Sequence, residues 1–211
     1  IRDNSLICSL INAKRLFSVI LWWPPWCVKT TLARLLATYH NAEFIDLSAV
    51  TSGVKDVKDA VSSAKESLRS VIKTIVFIDE IHRYSKTQQD ALLPHIENGT
   101  FHLMGSTTEN PSFQVIPALL SRAQVIILNP IDDLSIRKIV QKGYDYLSKN
   151  YPSQNVKITD EAIETIVKLA RGDARVALNT VENSYFAAKG EVGKNLIENL
   201  LQKRTAKYGI D

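Results

Sequence analysis

Five short apolar runs recur along the first 130 residues, with helix-like stretches between them, and that alternation constrains the fold more than any other feature. The runs are residues 18–22 (SVILW), 43–47 (EFIDL), 74–78 (TIVFI), 101–105 (FHLMG) and 124–128 (QVIIL). They are nearly continuous in apolar, β-branched and aromatic residues, as strands covered on both faces of a parallel sheet must be. Between them, Val54, Val57, Val61, Ala64 and Leu68 recur at three- and four-residue steps, with Lys, Asp and Ser on the other faces. That is an amphipathic helix. Residues 29–39 and 88–97 are also helical in composition. Strand–helix alternation predicts an α/β domain over residues 1–130.

The pattern changes after Asn129–Pro130. Ile136, Ile139, Val140, Tyr144 and Leu147 form one helical stripe, and Ile163, Ile166, Val167 and Ala170 form another. Thr159 is placed to cap the second of these, Gly172 to stop it, and Asp173 to open a third helix through Asn183. No strand-like run follows Leu128, so residues 131–211 read as a second, smaller, all-helical domain.

Composition narrows the classes of function. With 45% hydrophobic and 23% charged residues the chain has ordinary globular usage, which excludes a disordered tail, a collagen-like fibre or a coiled-coil rod. No apolar run approaches the roughly 18 residues a membrane span needs, so no membrane partner is expected. Two cysteines, Cys8 and Cys27, cannot build a disulfide framework, which points to an intracellular location: nucleus in a eukaryote, cytoplasm or nucleoid in a bacterium. A net charge of +4 permits a nucleic-acid partner without demonstrating one. Ile1 is not an initiator methionine and residues 1–15 build no signal core, so the sequence reads as a fragment that begins inside a domain.

The chemistry gathers at strand ends. Residues 74–80 (TIVFIDE) form a buried strand that closes on two adjacent carboxylates. Charge is costly in a core, so Asp79 and Glu80 belong at the exposed carboxyl end, where open α/β sheets bind ligands. There Asp79 could hold a hydrated Mg²⁺ while Glu80 polarises a water for attack on phosphate. A strand running into an acidic turn would look the same. The second element is residues 23–30, WPPWCVKT, lying after one strand-like run and before the helical TLARLLA. Lys-Thr at that junction is the end of a phosphate-binding loop, G-x-x-x-x-G-K-S/T. Lys29 would neutralise phosphate charge, Thr30 would ligate Mg²⁺, and the helix N-terminus would add its partial positive charge. The two glycines that pattern demands are Trp23 and Val28 in this chain.

Six stretches together (SVILW, KTTLARLLA, FIDEIHRYSKTQQDALLPHIENGT, GSTTENPSF, ALLSRAQVIIL and GDARVALN) resemble the AAA+ ATPases of the RarA/MgsA and Werner-helicase-interacting protein family, relatives of clamp loaders. The resemblance implies a P-loop NTPase core with a five-stranded parallel sheet and a helical lid. It implies ATP and Mg²⁺ as ligands, a homo-oligomer with ATP at subunit interfaces, and non-specific contact with the DNA backbone. Replication or helicase proteins would be further partners. Carried over by position, Asp79 and Glu80 resemble the Walker B pair, with Thr30 and Asp79 on Mg²⁺. Thr108, with Asn110 nearby, matches the sensor after the fourth strand. Arg122 matches the arginine finger that reaches a neighbouring subunit's nucleotide, and Arg175 the lid arginine that contacts phosphate. The nucleotide loop would comprise Trp23, Pro24, Pro25, Trp26, Cys27 and Val28, continuing into Lys29, Thr30 and Thr31. His82 and His95 read as local hydrogen-bonding residues, since no Cys/His spacing supports a zinc site.

One departure is severe. The family pattern G-P-P-G-T/C-G-K-T places glycines where this chain has Trp23, Trp26 and Val28. A loop that wraps its amides around phosphates needs positive φ and bare backbone. Crippled nucleotide binding is therefore expected. All 3 tryptophans of the chain fall between residues 22 and 26, while Lys29, Thr30, Asp79, Glu80, Arg122 and Arg175 persist. The family segment that contacts adenine reads as cut short before Ile1, and its C-terminal oligomerisation domain has little room after Asp211. The function expected is an ATP-dependent maintenance factor acting at stalled forks or DNA ends. Two alternatives stand beside it: a catalytically dead scaffold acting through oligomer interfaces, and a clamp-loader-like subunit.

Overall fold

A computed structural model of the chain describes residues 15–22 and 29–208. It divides into two compact units, Ile1–Asn129 and Pro130–Asp211. In the first unit β1 (Val19–Trp22), β2 (Glu43–Ser48), β3 (Thr74–Asp79), β4 (His102–Thr107) and β5 (Gln124–Ile127) form one sheet in the order β2-β3-β4-β1-β5. Every pairing is parallel. The five expected strands are all present, each shifted by at most two residues at an end.

Both faces of this sheet are covered, and the period of two along each strand decides which side chain serves which face. Ile20, Val76, Ile78 and Leu103 join one core with Val57, Ala60, Val61 and Ala64 of α2 (Val54–Arg69). Val19, Leu21, Ile75, Phe77, Met104 and Ile126 join the other, with Ala33, Leu36 and Ala37 of α1 (Lys29–Tyr39). Two-sided burial is the reason the strands read as unbroken apolar runs. After β3 the chain makes a 3-10 turn over Ile81–Arg83 and then two short helices, α3 (Lys86–Asp90) and α4 (Leu93–Glu97), where the sequence predicts one. A reciprocal cap opens α3: Gln88 N–H donates to Ser85 Oγ (3.2 Å) and Ser85 N–H to Gln88 Oε1 (2.9 Å). Prolines start α5 (Pro111–Gln114) and α6 (Pro117–Leu120).

The second unit is helical, as expected, with one addition. Its helices α7 (Asp133–Asn150), α8 (Asp160–Ala170), α9 (Ala174–Ala187) and α10 (Lys194–Tyr208) are joined by a two-residue parallel ladder of β6 (Lys157–Ile158) with β7 (Glu191–Val192). The caps fall where the sequence puts them. Ala162 N–H donates to Thr159 Oγ1 (3.1 Å), and Asp173 Oδ1 accepts from the amides of Arg175 (2.7 Å) and Val176 (3.2 Å). Arg171 and Gly172 turn the chain left-handed between α8 and α9. Among the described residues no helix is long and apolar enough to cross a membrane.

At the amino end of β4, His102 titrates below the ordinary histidine value of 6.5, because burial disfavours its cation and Lys73 and His40 repel it. The unfolded chain therefore binds a proton as pH falls through 6.5, while folded His102 does so only at lower pH. The unfolded state holds more protons in that window, so stability is lost as pH falls below 6.5. His95 is displaced in the same direction, by burial and by Lys65, and adds the same sign. Urea denaturation midpoints should fall between pH 7.5 and 5.5, and His102→Gln should flatten that slope. An unchanged slope would remove His102 from the account.

Candidate nucleotide site at the carboxyl ends of the strands

Parallel pairing puts all five carboxyl ends on one edge of the sheet. Trp22, the last residue of β1, is in register with Thr107, the last of β4; Ser48 is in register with Asp79 at the ends of β2 and β3. The connection after β1 leads to the far edge at β2, whereas β4 leads across β1 to β5. Connections that part in opposite directions leave a crevice at the ends of β1 and β4, the usual ligand position in open α/β sheets.

Asp79 closes β3 and is half-buried. The hydroxyl of Ser106, fully buried on β4, donates to Asp79 Oδ1 and accepts the Glu80 amide at 3.3 Å. The Asp79 carbonyl accepts the Ala49 amide at 2.9 Å. Glu80 itself has φ 57° and ψ 43°. For a residue with a Cβ that left-handed conformation costs about 1–2 kcal/mol, and it persists only where the surroundings over-determine it. Here it breaks the strand's alternation and sends the chain into the 3-10 turn. Glu80 Oε2 lies 3.2 Å from His82 Nε2, and His82 Nδ1 lies 2.9 Å from Thr107 Oγ1.

The other residues singled out in the sequence take definite places. Lys29 is the first residue of α1 and is buried; Thr30 and Thr31 follow it in the first turn, Thr30 half-buried and Thr31 exposed. Thr108 is half-buried just past β4, and Asn110 caps α5 by accepting the Ser112 amide at 3.0 Å. Arg122 follows α6. Its guanidinium pairs with the Glu97 carboxylate and donates to the Ala118 carbonyl (2.8 Å) and Ser121 Oγ (3.0 Å). It is thus engaged with its own surface, not with the acids of β3. Arg175 lies in the first turn of α9 in the second unit. Trp23, Pro24, Pro25, Trp26, Cys27 and Val28 fall outside the described residues. Sequence reasoning passed over Ser106, Thr107 and Glu97, and gave His82 only a local role. A serine or threonine at a strand end carries no signal until a partner strand sets a carboxylate or imidazole beside it.

Asp79 and Thr30 are of the oxygen-donor type that Mg²⁺ takes. Among the described residues no group of three or more His, Cys, Asp or Glu side chains could cage a metal. An ion held by one carboxylate, Asp79, one hydroxyl, Thr30, phosphate oxygens and water is the ordinary arrangement for Mg²⁺ in phosphoryl-transfer sites.

A doubly covered parallel sheet with paired acids at the end of β3, a polar β4 end and a lysine opening the helix after β1 is the architecture of an AAA+ P-loop NTPase core. Residues 19–131 match the ATPase family associated with various cellular activities (AAA), and the chain belongs to that family. Residues 152–211 match the AAA C-terminal domain.

Among its relatives, Replication-associated recombination protein A of Escherichia coli strain K12 is 46% identical over 172 residues, which take in 82% of this chain and 38% of that protein. The ATPase WRNIP1 of Dictyostelium discoideum is 41% identical over 188 residues, 89% of this chain and 21% of the other. The chain thus spans less than half the length of either relative. In fold it is similar to the RuvB Holliday junction branch migration motor of Thermotoga maritima, with a TM-score of 0.71 at 24% identity over 89% of this chain and 61% of that one.

Proposed function

We propose that the chain is an ATP-dependent module that maintains DNA during replication and recombination, and that its own ATP binding is impaired. The observation that carries the site reading is the β3 end, where Asp79 is held by Ser106 and the left-handed backbone of Glu80 turns the chain out of the strand. When bound, Mg²⁺ would supply charge neutralisation at the phosphates. Asp79 and Thr30 would hold that ion, Lys29 and the α1 amides would bind phosphate oxygens, and Glu80 would polarise the attacking water. Thr108 and Asn110 read the γ-phosphate. Arg122 would leave Glu97 to reach the nucleotide of a second copy, and Arg175 is the second unit's candidate for contact with phosphate. The acting form is a homo-oligomer that touches the DNA backbone through phosphate contacts and works at stalled forks or DNA ends. Support for the DNA role comes from relatives named for replication-associated recombination.

A second reading is favoured by Trp23, Trp26 and Val28: a scaffold that keeps the fold and Arg122 but serves only intact neighbours. One experiment addresses both. In a chain carrying Trp23→Gly, Trp26→Gly and Val28→Gly, forked DNA should stimulate ATP hydrolysis. Adding Glu80→Gln should lower hydrolysis by about a hundredfold or more while ATP still binds. Hydrolysis indifferent to Glu80 would refute its role as the water-polarising group, and a restored chain that binds ATP without turnover would favour the scaffold.

A further inference from the structure

We propose that His82 is a positioning residue for Glu80, its ring standing between the Glu80 carboxylate, at ion-pair distance, and the buried hydroxyl of Thr107 at the end of β4, with which it shares a hydrogen bond. Its consequence for turnover rests on Glu80 being the group that polarises the attacking water.

The geometry of the link is specific. His82 Nε2 faces Glu80 Oε2 at 3.2 Å, and Nδ1 faces Thr107 Oγ1 at 2.9 Å. The His82 side chain is 9% exposed and that of Glu80 27%, so one partner is anchored while the other reaches the surface. Thr107 is fully buried, and its Oγ1 accepts the Glu109 amide (3.0 Å) and lies 3.2 Å from the Glu109 carbonyl. That hydroxyl can donate either to Nδ1 or to the Glu109 carbonyl. An ionised Glu80 carboxylate can only accept, so the tautomer that suits it carries its proton on Nε2: a neutral ring then receives the Thr107 proton at Nδ1, and a charged ring donates from both nitrogens. In either of these states a protonated Nε2 faces the Glu80 carboxylate at 3.2 Å.

The backbone holds the ring in place. Ile81 is fully buried in the turn, and a Cβ on Gly105 would lie 3.0 Å from Ile81 Cδ1 and 2.7 Å from Ile20 Cδ1. Glycine at 105 thus lets the turn settle onto β4, with His82 over Thr107. A lone glutamate at a surface turn samples many rotamers; one tied at its carboxylate is pre-set for a water at the crevice, and groups so placed contribute through orientation. Thr107 is joined directly to Thr108, so a shift of the β4 end on contact with phosphate passes to Glu80 through one ring.

Two readouts test this. In the chain as it stands, the ring-nitrogen NMR shifts of His82 should show a protonated Nε2 and should move on Glu80→Gln, and Thr107→Val should move Nδ1. Ring shifts unmoved by Glu80→Gln would overturn the link. In the glycine-restored chain, His82→Ala should lower kcat about tenfold or more with KM for ATP nearly unchanged. His82→Gln, which keeps an N–H donor, should recover part of that loss. A His82→Ala chain with full kcat, or one whose loss only follows a lowered melting temperature, would overturn the positioning role. A restored chain with the expected ring shifts but with ATP turnover indifferent to Glu80→Gln would instead overturn the reading of Glu80, leaving the link itself established.

Discussion

Glycine at positions 23, 26 and 28 together is expected to raise ATP affinity about a thousandfold, from millimolar to micromolar. By the loop pattern of the resembled family, the two indoles of Trp23 and Trp26 would add bulk where phosphate oxygens should meet main-chain amides. Val28 is β-branched, and a non-glycine residue forced left-handed costs about 1–2 kcal/mol. Strain and lost volume together amount to about 4 kcal/mol, the thousandfold difference. Lys29 opens the 11-residue helix after the loop, and no acidic residue in its first turn opposes the helix's positive end. Calorimetric titration of the original and substituted chains with ATP·Mg measures the difference. Micromolar affinity in the original chain would contradict an impaired loop at once.

Gly172→Ala should destabilise the second unit by roughly 2–4 kcal/mol. Gly172 has φ +84°, a region costly to residues with a Cβ. A Cβ there would also lie 2.6 Å from Pro130 Cβ, 3.0 Å from the Ile131 carbonyl oxygen and 3.2 Å from the Ile131 nitrogen. Backbone cannot rotate out of the way as a flexible side-chain end can. Gly190 supplies the control: its φ is +94°, yet nothing lies within 4 Å of an added Cβ. Gly190→Ala should thus cost only the backbone term, about 1 kcal/mol. For a unit of this size each kcal/mol moves a melting temperature by about 4–8 °C, so thermal melts of the two variants separate the contributions. Equal shifts would remove the steric argument.

The core of the first unit was legible because its sheet is covered on both sides. Apolar runs such as TIVFI have no other use at that length, and acids directly after one must sit where water reaches them. Helix caps were legible too, since Thr159 and Asp173 act on amides only two or three residues away. Short-range physics leaves its mark in short-range sequence. The β6–β7 ladder was not legible, because two paired residues make no period and the strands lie more than thirty residues apart. The break between α3 and α4 likewise lacks a strong local stop signal, as Pro94 is compatible with a first helical turn.

Residue order alone determined the α/β character of the first unit, the helical character of the second, the acids after β3 and the loss of the loop glycines. Tertiary structure decided the strand order β2-β3-β4-β1-β5 and everything that depends on which strand ends become neighbours. Only when β4 lies against β3 does Ser106 meet Asp79, and only when Glu80 turns left-handed does His82 come between it and Thr107. Burial and capping depend on residues close in the chain, so sequence records them. Hydrogen bonds between residues 25 or more positions apart depend on chain closure, which no local pattern encodes.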